Sequence, residues 1–172
     1  MEDLTFNTIS GATVERKLLI LCLNTGTEEA PVWSLVGKRV EDSSMEFDWG
    51  EETKTDIFGE TYTTLKPPTI TQTFDPCELD AADTAQVKIW NMAIKDQDIS
   101  AMCNNDMLVV HCYAGTKDTA VFAVRWSACA VKPSGLGGSG TVNMPIDVTY
   151  GGTRTTGTAS VSGKTITFTA EP

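Results

Sequence analysis

The chain has 172 residues, 41% hydrophobic and 21% charged, which fits one ordinary soluble domain able to bury roughly two-thirds of its unfolded surface. Its formal charge of −10 excludes a protein that grips phosphate backbones through clustered Lys and Arg, but not one whose task beside nucleic acid is to avoid sticking to it. Five scattered cysteines without knuckle spacing, behind an acidic Met1-Glu2-Asp3, point to reduced thiols in a protein made in the cytoplasm.

Residues 1–17 are mixed and polar and read as an N-terminal arm. Leu18–Leu23 is an apolar run far too short to span a bilayer, so it reads as a buried strand and no membrane partner is expected. A polar turn over 24–29 separates it from a second strand candidate, Val32–Val40. The stretch 43–64, SSMEFDWGEETKTDIFGETYTT, begins by alternating Met45, Phe47 and Trp49 with Glu46 and Asp48. It then turns polar before apolar residues return at Ile57, Phe58 and Tyr62, and 41–64 reads as a long acidic hairpin. A Thr-rich strand follows at Thr69–Phe74, with Pro67 and Pro68 interrupting any pairing before it.

One helix is expected, from about Ala81 to Asp96. Ala82, Ala85, Ile89, Trp90, Ala93 and Ile94 form its stripe, Asp80 or Asp83 its cap, and Lys88, Asn91, Lys95 and Asp96 its wet face. The remainder reads as β: Met107–Ala114, Thr119–Lys132, an alternating strand through Val142, Met144, Ile146, Val148 and Tyr150, and KTITFTA with Ile166 and Phe168. Strands, one helix, then strands predict a mainly β fold of two packed antiparallel sheets, sandwich- or barrel-like, with one flanking helix and no second domain.

Motifs that carry chemistry are thin. The glycines of PSGLGGSG (133–140) precede a strand, not a helix, which makes them a hairpin connection and not a phosphate cradle. Cys103, His111, Cys112 and Cys129 could be imagined around a metal, but His111 and Cys112 are strand neighbours whose side chains point to opposite faces. Without a poised nucleophile, base or ligand set, neither catalysis, a cofactor nor a metal is expected. Charge distribution is the remaining signal. Between Glu41 and Glu60 stand eight acids and one lysine, net −7. Met45, Phe47, Trp49, Ile57 and Phe58 share that window, and apolar clusters rimmed by charge mark contact surfaces more readily than solvating loops.

PVWSLVGKRVEDSSMEFDWGEETKTDIFGETYTTLKPPTITQTFDP (31–76), the single helix and VNMPIDVTYGGTRTTGTASVSGKTITFTAE (142–171) together resemble the tail tube (major tail) proteins of long-tailed bacteriophages, relatives of type VI secretion tube proteins. The cues are a strand running into an acidic hairpin ending in TDIFG, the Thr-rich strand before the helix, and a late DVTYGG…GTA hairpin. The resemblance implies the phage tail tube fold, with hexameric rings stacking into a tube that conducts DNA without binding it specifically. It also implies tape measure and tail terminator partners, and a place in the virion tail after synthesis in the bacterial host cytoplasm. Contacts between rings fall on 41–60 and 1–17. The candidate inter-subunit residues are Trp33, Met45, Phe47, Trp49, Ile57 and Phe58, and the candidate bore or ring-contact acids are Glu46, Asp48, Glu51, Glu52 and Asp56. Two alternatives stay open: a monomeric immunoglobulin-like β-sandwich binding module, and another tail component such as a terminator.

Overall fold

A computed structural model describes residues 4–172; the first three residues of the expected N-terminal arm lie outside the described residues. The fold is mainly β, with two antiparallel sheets, one of nine strands and one of two, and a helical segment against the larger. In chain order the elements are β1 (Leu19–Asn24), β2 (Trp33–Leu35), β3 (Met45–Asp48), β4 (Glu52–Thr55), β5 (Thr61–Thr64) and β6 (Thr69–Phe74). Helices α1 (Thr84–Trp90) and α2 (Ile99–Cys103) follow, then β7 (Asn105–Thr116), β8 (Ala120–Pro133), β9 (Ile146–Tyr150), β10 (Arg154–Ser162) and β11 (Thr165–Ala170).

The large sheet runs β2-β1-β7-β8-β9-β6-β3, and β10 and β11 branch from β8. β8 makes the fork possible because it is long enough to hold two strands end to end. Its Val121–Trp126 half pairs with β10 and its Ala130–Pro133 half with β9. The expected DVTYGG…GTA hairpin is therefore corrected: the chain does not reverse at Gly151-Gly152. It bulges there, with Gly152 at φ +72°, and continues along the same edge of β8, held by Ala128 N–H to Gly151 O (3.3 Å) and Ser127 N–H to Thr153 O (3.2 Å). The hairpin is instead β10–β11, closed at Gly163.

Both faces of the shared β1–β7–β8 sheet are buried. Leu21 and Leu23 of β1 with Met107 and Val109 of β7 enter one cluster, which also takes Ile70, Phe74, Ile146, Val148 and the helix. The alternate residues Cys22, Leu108 and Val110 enter a second cluster with Val121, Ala123, Ala159, Ile166 and Trp33. On β8 the odd-numbered positions change face: Val121 and Ala123 serve the second cluster, Cys129 and Val131 the first. A register shift opposite Asn105–Met107 inserts the extra residue that flips the strand. Burial raises the Cys22 thiol to about 12 and the Cys129 thiol to about 11, so both stay protonated core groups.

The helix differs in phase from expectation. α1 starts at Thr84, capped by Asp83, whose carboxylate accepts from the Ala85 and Gln86 amides. A π-helical turn over Asn91–Lys95 extends it, and α2 adds a second short turn of helix that period-counting does not find. Ala85, Gln86, Ile89 and Met92 are buried, while Ala82 and Trp90 are exposed. Gln86 replaces them on the inner face because its amide is fully used: Nε2 donates to Glu78 O (2.9 Å), and Oε1 accepts from Asp80 N–H (2.7 Å). Lys88 is half-buried, not on the wet face. It donates to Asn24 O at 2.6 Å, and desolvation holds its pKa below the usual lysine range. Two strand ends also retract: β2 stops at Leu35, and Val142 is exposed ahead of β9.

Candidate functional site: an acidic β-arm

The stretch 49–66 leaves the sheet as a ribbon, and its root in β3 and β6 is fixed by buried polar groups. β3 is a terminal strand of the large sheet, registered on β6 from Met45↔Gln72 to Asp48↔Thr69. Just before it, Ser43 Oγ donates to Thr73 O (2.7 Å) and accepts from Gln72 Nε2 (2.9 Å). Gln72 Oε1 in turn accepts from the Tyr150 hydroxyl (2.8 Å), and the Arg16 guanidinium donates to Ser43 O (3.0 Å). Each buried group in this relay of hydrogen bonds is partnered, so the root is rigid and not frayed.

Beyond Asp48 the ribbon loses its sheet neighbours. Gly50 sits at φ +51° with its N–H on Asp48 Oδ1 (3.0 Å), and the Lys66 N–H bonds Trp49 O (2.9 Å), carrying the pairing across the break. Pro67 and Pro68 have no N–H to donate, so the strand here restarts as β5 and β6. β4 and β5 then pair alone, from Glu52↔Thr64 to Thr55↔Thr61, and every residue of both is exposed. That register places Thr53, Thr55, Thr61 and Thr63 on one face, with Thr53 Oγ1 and Thr63 Oγ1 3.1 Å apart, and Glu52, Lys54, Tyr62 and Thr64 on the other.

The tip is ordered by one carboxylate. Asp56 Oδ1 accepts from the Phe58 N–H (2.8 Å) and the Glu60 N–H (2.9 Å), and Gly59 at φ +82° lets the chain return. This turn pushes its two apolar side chains outward: Ile57 is 94% and Phe58 85% exposed. Among the described residues nothing covers these two hydrophobes, although the turn that presents them is well defined.

Electrostatics sort the acids. Glu52 Oε1 lies 2.9 Å from Lys66 Nζ and Oε2 3.2 Å from Lys54 Nζ, and these bonds, Lys66 first, hold its carboxyl below the usual range. Among the described residues it is the one acid of 41–60 with a cation partner. Glu46, Asp48 and Glu51 are exposed and carry net negative field along the ribbon.

The sequence-predicted contact residues separate into four groups. Ile57 and Phe58 share the tip. Phe47 and Trp49 stack near the root at 6.1 Å between ring centroids, 13° from parallel, each about half exposed. Met45 packs half-buried against the first core cluster. Trp33 lies apart from them: it is 6% exposed and belongs to the second core cluster, where β2 closes over β1, so its bulk holds the subunit together and only its margin reaches the surface beside β2. The threonine face was missed. Its signal was present in the alternation of ETKT and TYTT, but alternation without large apolar residues does not announce a strand.

The N-terminal segment, where described, is docked and not free. Phe6 bridges to Ala114, the Asn7 N–H bonds Tyr113 O (2.8 Å), and the Phe6 ring meets the Tyr113 ring edge-on at 5.2 Å. Among the described residues no group of three or more His, Cys, Asp or Glu side chains could hold a metal, and no helix is long and apolar enough to cross a membrane.

No known protein family matches the chain, and no curated protein does. Among solved structures it is similar to a chain of an extracellular contractile injection system, the PVC sheath-tube complex in its extended state, at 10% identity and a TM-score of 0.48, covering 94% of this chain and 95% of that one. It is also similar to a chain of the PVC sheath/tube terminator in its extended state, at 10% identity and TM-score 0.47, covering 86% and 99%. A third likeness is to a chain of the anti-feeding prophage cap, a tube-terminating cap, at 13% identity and TM-score 0.43, covering 96% of each.

Proposed function

We propose that this chain is a non-catalytic structural subunit of a phage-tail-like tube, assembling with copies of itself into rings that stack, with the β-arm joining one ring to the next. The observation that carries this reading is the ordered arm tip, with Ile57 and Phe58 bare to solvent on a ribbon that has no core of its own. A two-stranded ribbon is marginal by itself, so its order is inherited from the rigid root and it is useful only where it meets another surface. Burying two such side chains contributes about 3–6 kcal/mol before the costs of association, weak for a dimer and ample when repeated around a ring. A contact along the tube axis never closes on itself and so propagates a filament. The unpaired acids of the ribbon oppose premature association and, at a bore wall, repel phosphate within a screening length of about 8 Å. The sequence resemblance to tail tube proteins points the same way.

The test is electron microscopy and sedimentation of the purified protein beside a variant in which residues 50–65 are replaced by a two-residue turn. β3 stays in that variant because it belongs to the large sheet; a cut over 46–57 would strip a sheet edge along with the arm. The parent should form rings or tubes, and the trimmed chain should fold but not elongate. A parent that stays monomeric at high concentration with its tail partners present overturns the proposal in favour of a binding module. Rings that never stack assign it to a terminator.

A further inference from the structure

An arm that joins copies needs a receiving surface, and the chain carries one groove suited to it. It has a volume of about 760 Å³ and runs along β2, bounded by the loop after that strand, the start of α1 and the β10–β11 turn. Val32 through Lys38 line it without a gap. The run takes in all of β2 and the loop residues on either side of it, and Leu19, Ile20 and Leu21 of β1 line the groove beside it. β2 is a terminal strand of the sheet, bonded only to β1, so its outer edge has no partner strand. The floor is apolar, with Val32 and Leu35 partly exposed and Phe74 beneath.

The charge of the groove is opposite to that of the arm. In a chain of net −10, the groove is lined by Arg16, Lys17, Lys38 and Lys164 against Glu41 and Asp83. Lys17 is compensated by Glu15 and Lys38 by Asp80. Arg16 spends its guanidinium on the carbonyls of Leu19 and Ser43, and Lys164 makes no ion pair among the described residues, so these two charges are left without a carboxylate partner, against the single unpaired acid Glu41. Asp83 is occupied in capping α1. The arm presents the complement: Ile57 and Phe58 flanked by carboxylates, on strands whose outer edges are also unpaired.

We infer that the arm tip of one copy docks in the β2-edge groove of a second copy, Ile57 and Phe58 entering the apolar floor while the flanking acids meet Arg16 and Lys164. This rests on the self-assembly reading above. The pairing is heterologous, since groove and arm are different surfaces of the same chain, and so it propagates instead of closing as a symmetric dimer.

The experiment mixes two full-length chains, both carrying Cys103→Ser to remove the exposed native thiol, one with Phe58→Cys and the other with Leu35→Cys. Under mild oxidation in assembly conditions, proximity should give disulfide-linked heterodimers at about tenfold the yield of a control pairing Phe58→Cys with the exposed Ile99→Cys. A second variant, Val32→Glu with Leu35→Glu and Lys164→Glu, should stop elongation as fully as arm trimming while retaining the parent's circular dichroism. If that variant assembles like the parent, or the cross-link stays at control level while the trimmed arm still blocks assembly, the groove assignment falls and the tube reading stands. If the parent never assembles, both fall. A Leu35→Cys cross-link to Ile9→Cys in the N-terminal segment, in place of the arm, gives the groove another occupant and overturns the inference. Should the triple variant misfold, the cross-link decides.

Discussion

Two side chains show how single groups hold the scaffold behind the arm. The Tyr150 hydroxyl donates to Gln72 Oε1, and Gln72 passes the bond to Ser43 at the arm root. Tyr150→Phe leaves a buried amide oxygen unpaired, which should cost about 1–3 kcal/mol in urea unfolding. His111 is the single histidine, bonded through Nδ1 to the Tyr113 hydroxyl (2.8 Å) and packed on Phe122. Burial first, then the nearby Arg154 charge, depresses its pKa below the usual 6.5. The folded chain therefore keeps it neutral while the unfolded chain takes up a proton more readily. Its contribution to stability is fully present above about 6.5 and is lost as pH falls through that value toward the lower folded pKa. Urea midpoints of the dispersed protein should decline between about pH 7.5 and 5, and His111→Phe should flatten that decline.

At the scale of elements, the arm and the helix follow opposite rules. α1 is held by what it buries, so its stripe of Ala85, Gln86, Ile89 and Met92 determines its phase. The β4–β5 ribbon buries nothing and is held by its backbone pairing, the Asp56 turn and the fixed root. Stability and assembly should accordingly separate in the arm. Ile57→Asp with Phe58→Asp touches no intramolecular contact surface and should shift the unfolding free energy by no more than about 0.5 kcal/mol. The same double change should abolish rings or tubes in electron micrographs. A drop in stability comparable to a core substitution would mean that the tip packs within its own subunit.

For the whole molecule the decisive feature is the fork in the large sheet. β8 is shared, β9 and β10 lie end to end along it, and the sheet divides where the chain bulges between them. Gly152 is required at that point, at φ +72° and with an added Cβ placed 2.6 Å from Ala128 N and 2.7 Å from its Cβ. Gly152→Ala should cost about 1–3 kcal/mol in thermal or urea unfolding, by left-handed strain and by collision with β8. It should also loosen the second core cluster, because Ala159 and Ile166 reach that cluster only through the bent branch. The main path of the sheet ends on β2, along the groove, and on β3, at the root of the arm, and the fork adds β11 as a third terminal strand.

The sequence alone determined whatever depends on local pattern. The apolar run of β1, the alternation in β6, β9 and β11, a cap at Asp80 or Asp83 and the acid-and-aromatic composition of 41–64 are properties of neighbouring residues, and each could be read in order. Ile57 and Phe58 likewise stood out as large apolar groups among acids. Only the tertiary structure decided where side chains with more than one possible environment would go. Trp33 is buried because β2 folds over β1, while Trp90 is left exposed by the helix phase, and composition distinguishes neither. β10 could not be read from residue pattern, because RTTGTASVS lacks the large alternating residues of a strand; the resemblance placed it only as the return of a hairpin from β9, whereas its pairing is dictated by β8 across the fork. The groove along β2 gathers residues from 16 to 164, a juxtaposition that exists only once the sheet has bent. Short-range periodicity encodes elements, whereas long-range packing and bulges assign their faces, and the root of the arm and the open edge of β2 belong to the second kind.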